Sequence, residues 1–259
     1  TVYKEGIFNT PIGIKFSVGG ARWSRSQYGL RATAENWQNP WLFTFNNYRQ
    51  IDQNNLPSEV RFDKRINSVF SFLNLSYGNA LFLELSGRND WSSSLPLESN
   101  SYFYPSASLS YILTESFAFP EWFSFWKLRG SYAQTANDTD PFLLDFIYNT
   151  GTFGNQQTAT HPSTKPPVEL RPQIANSFEV GTTLGFWQDR INLDFTYYFI
   201  RSFDQILDAP VPSSSGVNQV RINSGILENQ GIELALTANV IQKPDFFLET
   251  GINLARNRN

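Results

Sequence analysis

Between Asn176 and Arg201 apolar and polar residues alternate in twos. Phe178, Val180, Thr182, Leu184 and Phe186 share one side, and Ser177, Glu179, Gly181 and Thr183 the other. After Trp187 to Arg190 the pattern restarts, with Ile191, Leu193, Phe195, Tyr197 and Phe199 against Asn192, Asp194, Thr196 and Tyr198. Successive side chains of a strand face opposite ways, so this stretch predicts a hairpin with one apolar and one polar face. Each arm is about ten residues long and ends in aromatics, the length and pattern of a membrane-crossing strand pair. A half-buried hairpin of a soluble sandwich alternates in the same way, so the rest of the chain has to decide.

The same period recurs. Ile12, Ile14, Phe16 and Val18 open the chain, and a polar, aromatic segment from Ala21 to about Lys64 follows, holding Trp23, Trp37, Trp41, Tyr48 and Pro57. Without a sustained period it predicts a loop. Arg65 to Ser76 and Ala80 to Arg88 form the next pair. Val69, Leu73 and Leu75 join Leu81, Leu83 and Leu85 on one face only if the turn has an odd number of residues, and Tyr77-Gly78-Asn79 supplies three. Phe70 and Phe72 then fall on the polar side. Asn89 to Ser101 predicts a loop, followed by the cluster Tyr102-Phe103-Tyr104-Pro105 and a strand through Ala107, Leu109, Tyr111 and Leu113. Trp126, Leu128, Gly130 and Tyr132 mark another, before a proline-rich segment from Gln134 to Ala175 with the single histidine, His161. Beyond the hairpin, a loop from about Ser202 to Gln230 precedes strands at Ile232 to Val240 and Phe246 to Leu254.

Short turns follow Ser76, Phe186 and Val240 and a medium one follows Leu113, while long loops follow Gly20, Arg88, Gln134 and Arg201. Outer-membrane barrels show this asymmetry, and a compact soluble domain has little use for such loops. Tyr77, Trp122, Trp126, Phe186, Trp187 and Phe246 lie beside the short turns, and Tyr102, Phe103, Tyr104 and Tyr197 towards the long loops, as two membrane interfaces select. The predicted fold is all-β, a transmembrane antiparallel barrel of about nine strands. An odd count does not close, and edges unpaired in lipid are not viable, so residues 1–259 are expected to be part of a larger barrel domain.

Composition agrees. Aromatics reach 16% although hydrophobic residues are only 41%, as suits a wall that is apolar on alternate residues. A net charge of -3 gives no basic footprint for a nucleic-acid partner. Cysteine is absent, which removes thiol catalysis and thiolate metal sites. No catalytic set, cofactor site or metal site is expected. His161 sits in a Pro/Thr-rich loop, and Asp138 and Asp140 flank Thr139 too sparsely for an oxygen cage.

Several motifs are familiar. Gly87-Arg88-Asn89-Asp90-Trp91-Ser92-Ser93-Ser94-Leu95-Pro96, Lys127-Leu128-Arg129-Gly130-Ser131-Tyr132, Asn137-Asp138-Thr139-Asp140-Pro141, Asn229-Gln230-Gly231-Ile232-Glu233-Leu234 and Gly251-Ile252-Asn253-Leu254-Ala255-Arg256-Asn257 follow one another in this order. In this the chain resembles the SusC/RagA-like TonB-dependent transporters of Bacteroidetes outer membranes, from about Arg65 to its end. The resemblance implies a barrel of about 22 strands with an N-terminal plug. It also implies a TonB box, a SusD-like surface lipoprotein, an outer-membrane location and import of oligosaccharides or peptides. Plug, TonB box and closing strands are expected to lie outside residues 1–259.

On this reading Glu84, Arg88, Arg129, Glu179, Asp194 and Glu233 face the lumen, paired with one another or with the plug, because charge on the lipid face is costly. Trp37, Trp41, Trp91 and Tyr148 are the candidates for stacking on sugar rings or gripping peptide side chains. Two other roles fit the same residues: a structural barrel subunit among other outer-membrane proteins without transport, and a secreted all-β carbohydrate-binding protein.

Overall fold

The computed structural model of the chain describes residues 1–4, 10–31, 34–51, 58–153, 156–167 and 169–259. In chain order its strands are β1 (Val2–Lys4), β2 (Ile12–Arg31), β3 (Ala34–Trp37), β4 (Tyr48–Ile51), β5 (Ser58–Tyr77), β6 (Leu81–Ser92), β7 (Ser101–Ile112), β8 (Phe123–Asn137) and β9 (Asn149–Phe153). They continue with β10 (Gln156–Thr160), β11 (Thr164–Lys165), β12 (Gln173–Phe186), β13 (Ile191–Phe203), β14 (Ile206–Pro210), β15 (Gln219–Asn223), β16 (Ile226–Lys243) and β17 (Phe246–Arg258). Ten of them form one sheet in the order β1-β2-β5-β6-β7-β8-β12-β13-β16-β17, each antiparallel to its neighbours. Nine are the predicted wall strands, and β1, three residues long, is added at one edge.

The register shows why the pattern works. Directly opposed residues face the same way, and one row across the sheet runs Ile14, Leu75, Leu83, Leu109, Gly130, Val180, Tyr197, Ile232. The adjacent row runs Lys15, Asn74, Glu84, Ser108, Ser131, Glu179, Tyr198, Gly231. One face is therefore apolar and the other polar across eight strands. Among the described residues no second sheet packs on the leucines: Leu81 and Leu85 are each 37% exposed. Among the described residues the buried apolar side chains are Leu95, Tyr102, Leu170 and Val217, in the long connections or beside them. That arrangement overturns the alternative of a soluble sandwich with a shared dry centre.

Short turns gather at one end of the sheet. The β5–β6 turn is Gly78 to Ala80, three residues with Gly78 at φ 56°, one position later than the sequence suggests but with the odd count the register needs. Trp187, Gln188 and Asp189 in the β12–β13 turn also take positive φ, and the Asn192 amide donates to the Asp189 carbonyl at 2.8 Å. Around this end Phe119, Trp122, Phe123, Trp126 and Phe186 pack against one another, stacked or edge-on, with the Trp122 and Phe186 rings nearly parallel at 6.0 Å. These aromatics form a belt at the short-turn rim.

Four segments predicted as loops are partly strand. β2 and β5 pair over twenty residues, Ile12 opposite Tyr77 through Arg31 opposite Ser58, taking in both ends of the Ala21–Lys64 segment; Pro57 lies outside the described residues. Strand continues to Ser92 and resumes at Ser101, so the Asn89–Ser101 loop shrinks to Ser93–Asn100 and Tyr102 to Pro105 belong to β7. The β7–β8 ladder stops at Ser106, consistent with the missing N–H of Pro105. The Gln134–Ala175 segment holds the β9–β10 hairpin and β11, and the Ser202–Gln230 segment holds β14 and β15. β17 likewise runs to Arg258. The cause is common to all of these. Where both faces meet water, backbone pairing continues but alternation has nothing to select it.

Candidate functional site

Two polar assemblies stand on or beside the polar face. The first joins β8, β12 and β13. Arg129 donates from both terminal nitrogens to Asp194, at 2.9 and 2.6 Å, and further to the Thr183 and Thr196 hydroxyls at 2.9 and 2.5 Å. The Thr183 hydroxyl in turn donates to Asp194 at 2.7 Å. The guanidinium lies across Gly181, where a β-carbon would sit 2.8 Å from Nε and 2.9 Å from the Phe195 carbonyl oxygen. The missing side chain is what lets an arginine of β8 reach a carboxylate two strands away. Gly231 does the same for Tyr198, whose phenol oxygen would lie 2.5 Å from a β-carbon there.

The second assembly sits at the long-loop end. Asp138, with a side chain 5% exposed, accepts from Lys64 Nζ at 2.6 Å and from the Ser94 hydroxyl at 3.1 Å, and also from the Ser92 hydroxyl. Lys64 also donates to the Thr139 carbonyl at 2.9 Å. Asp138 is thus held by a lysine and two serines. Next to it Arg88 and the Tyr104 hydroxyl both donate to Asp90 at 2.7 Å, and Arg88 reaches Ser68 at 2.9 Å. Leu95, Tyr102 and Leu170 pack beside them, with Leu144 and Ile206 from further connections. The long connections are thereby gathered onto one buried knot. Ser92 and Ser94 of Trp91-Ser92-Ser93-Ser94 donate to its Asp138 beside Lys64, and sequence reasoning missed this because Lys64 and Asp138 lie far apart in the chain.

All six charged residues expected on the polar side share one face. Arg129 and Asp194 pair with each other and Arg88 with Asp90. Glu84, Glu179 and Glu233 make no ion pair among the described residues. Phe70 and Phe72, apolar residues on this face, have ring centroids 5.7 Å apart and line an open hollow of about 320 Å³ with Arg88, Tyr104 and Gln134. The Phe70 ring lies over Gly19, 2.7 Å from where a β-carbon would be.

The four aromatic candidates are not brought together. Trp37 packs edge-on against Phe43 at 5.7 Å, in a loop held by Asn47, whose amide donates to the Leu42 and Asn39 carbonyls at 2.5 and 2.7 Å. Trp41 is 90% exposed in that loop. Tyr148 lies in another connection, its ring 5.8 Å from His161, which also meets Phe146 at 4.9 Å. Trp91 stands opposite Asn67 on the leucine face, the opposite side from the charged residues.

A family model described as "TonB dependent receptor-like, beta-barrel" matches residues 3–258. The TonB-dependent receptor P3 of Formosa agariphila is 27% identical over 209 residues, 78% of this chain and 21% of the relative. The TonB-dependent receptor SusC of Bacteroides thetaiotaomicron is 26% identical over 203 residues, 74% of this chain and 20% of the relative. The chain spans about a fifth of the length of these curated relatives. In fold it is similar to a chain in the structure of the RagAB peptide transporter, with a TM-score of 0.86 and 20% identity over 99% of this chain and 28% of that one.

Proposed function

The chain belongs to the TonB dependent receptor-like β-barrel family of the bacterial outer membrane, and we propose that it forms part of the wall of an importer for oligosaccharides or peptides. One observation supports this most strongly. From β2 to β17 the apolar face carries, between the short-turn end and about the eleventh residue of each strand, a single charged side chain, Lys243 at the turn itself, while the other charged residues at those levels sit on the opposite face. Eleven residues of tilted strand span an apolar band about 25 Å tall. The apolar face then meets hydrocarbon and the polar face an aqueous or protein-filled interior, with the short turns periplasmic and the long connections outside.

The rest of the reading concerns the whole receptor. A larger barrel with an internal plug, coupled to TonB and capped by a SusD-like surface lipoprotein, fits the family and the fold it shares with the RagAB transporter. Glu84, Glu179 and Glu233 and the Phe70–Phe72 hollow are the interior groups left to meet a plug or a solute. Trp37, Trp41 and Tyr148, in the outer connections, are the candidates to meet a solute first. Trp91 is dropped from that set because it faces lipid. In living cells, uptake of labelled oligosaccharides or peptides is expected to need the full-length receptor, an intact TonB system and a surface lipoprotein that co-purifies with it. Uptake unchanged when TonB is removed would defeat the reading, and would favour a structural role for the barrel.

A further inference from the structure

We propose that the outward face binds the phosphates of anionic lipid headgroups in the outer leaflet, through Arg22 and Arg65 beside Trp91. This rests on the membrane reading above. Counted from the short-turn end, Arg22, Trp91, Arg201 and Arg256 are each the eleventh residue of their strand, and Arg65 is the thirteenth. All five share the face of the leucines. The apolar band thus ends at a common height, and its first charged residues on four strands are arginines. A guanidinium there stands at the level of the headgroups, with its stem along the apolar band.

Arg22 and Arg65 are the most defined pair. Arg22 opposes Asn67 and Ser24 opposes Arg65, so the two arginines are diagonal neighbours on one face. Trp91 opposes Asn67 from the other side and is 39% exposed, an interfacial ring next to the pair. Both arginines are exposed, and neither has a carboxylate within ion-pair distance among the described residues. The nearest acid along β5, Asp63, is taken by Arg61 at 2.7 Å and by the Ser26 hydroxyl at 2.5 Å. Arg201 differs, being already paired with Glu228 at 3.1 Å. Two guanidiniums without a carboxylate partner, on diagonal positions of one face at the rim, suit two phosphate oxygens better than any solute path, because the polar interior lies on the opposite face.

The test uses the full-length receptor in detergent micelles and native mass spectrometry with bis-phosphorylated lipid A, its dephosphorylated form, and excess inorganic phosphate. The parent is expected to retain the phosphorylated lipid. Replacing both arginines (Arg22→Gln with Arg65→Gln) is expected to weaken retention about twenty-five-fold, about fivefold for each arginine near a charged surface. Lys15→Gln, on the polar face, should change nothing. Equal retention of both lipids, no loss in the double variant, or displacement by inorganic phosphate would overturn the proposal. A nitroxide at Leu83 separates the two levels. If it is accessible to oxygen and shielded from a water-soluble nickel chelate, a failure of lipid retention refutes this inference alone; if it lies in water, the membrane reading fails too.

Discussion

Replacing Gly181 with alanine tests the polar wall at its tightest point. The new methyl would stand 2.8 Å from Arg129 Nε, 2.9 Å from its Cζ and 2.9 Å from the Phe195 carbonyl oxygen. The first two neighbours can swing away, but only by abandoning Asp194, Thr183 and Thr196; the third is backbone of a strand paired on both sides and cannot. Moving the guanidinium forfeits a bidentate pair whose side chains are 34% and 40% exposed, about 1 kcal/mol once solvent screening is counted. The backbone clash adds about 1–3 kcal/mol, the usual range for an overpacked site. The total is about 2–4 kcal/mol. It is measured by urea titration of the full-length receptor in lipid vesicles, following heat-modifiable gel mobility. A double-mutant cycle with Arg129→Ala divides the cost, because without the guanidinium only the backbone clash remains. A Gly181→Ala variant as stable as the parent, or an equal cost with and without Arg129, would refute the close-approach account.

Two further outcomes follow from the outer assemblies. Asp138→Asn leaves Lys64, 12% exposed, without its carboxylate, and is expected to cost about 3 kcal/mol and to open Ser93–Asn100 to limited proteolysis; unchanged cleavage would show that the knot does not hold the connections. Asp208, hydrogen-bonded by Arg221 at 2.7 and 2.8 Å, is held below the ordinary carboxylate range chiefly by those bonds. A lowered folded pKa means that its stabilisation is present above about pH 3.9 and fades as pH falls through the folded value, so β14–β15 amides should lose hydrogen-exchange protection in acid and Asp208→Asn should remove that dependence. Protection that does not change with pH in the parent would contradict this.

The wall was legible because it meets two different solvents. Leu81, Leu83 and Leu85 against Phe82, Glu84 and Ser86 fix a face and a register, and an odd turn follows from them. Outside the band that constraint lapses, so the outer halves of β2 and β5, with Ser24, Ser26 and Tyr28 on one face and Arg25, Gln27 and Gly29 on the other, carry no period to read. The site was legible in part. Alternation put Arg129 and Asp194 on one face, but that they touch depends on Gly181 lying between them. Trp91 is read correctly only from its register against Asn67, since its motif alone suggests a loop. Lys64 and Asp138 come together through connections whose course no local pattern encodes.

The claim beneath all of this is that the leucine face lies in hydrocarbon. Leu85 is the fifth residue of β6, near mid-band, and Ser108 of β7 stands on the other face beside Glu84. Unfolding free energies of the full-length receptor in lipid vesicles should fall by about 2–4 kcal/mol for Leu85→Arg and stay within about 0.5 kcal/mol for Ser108→Arg. If Leu85→Arg is as well tolerated as Ser108→Arg, that face is not in lipid and the account fails.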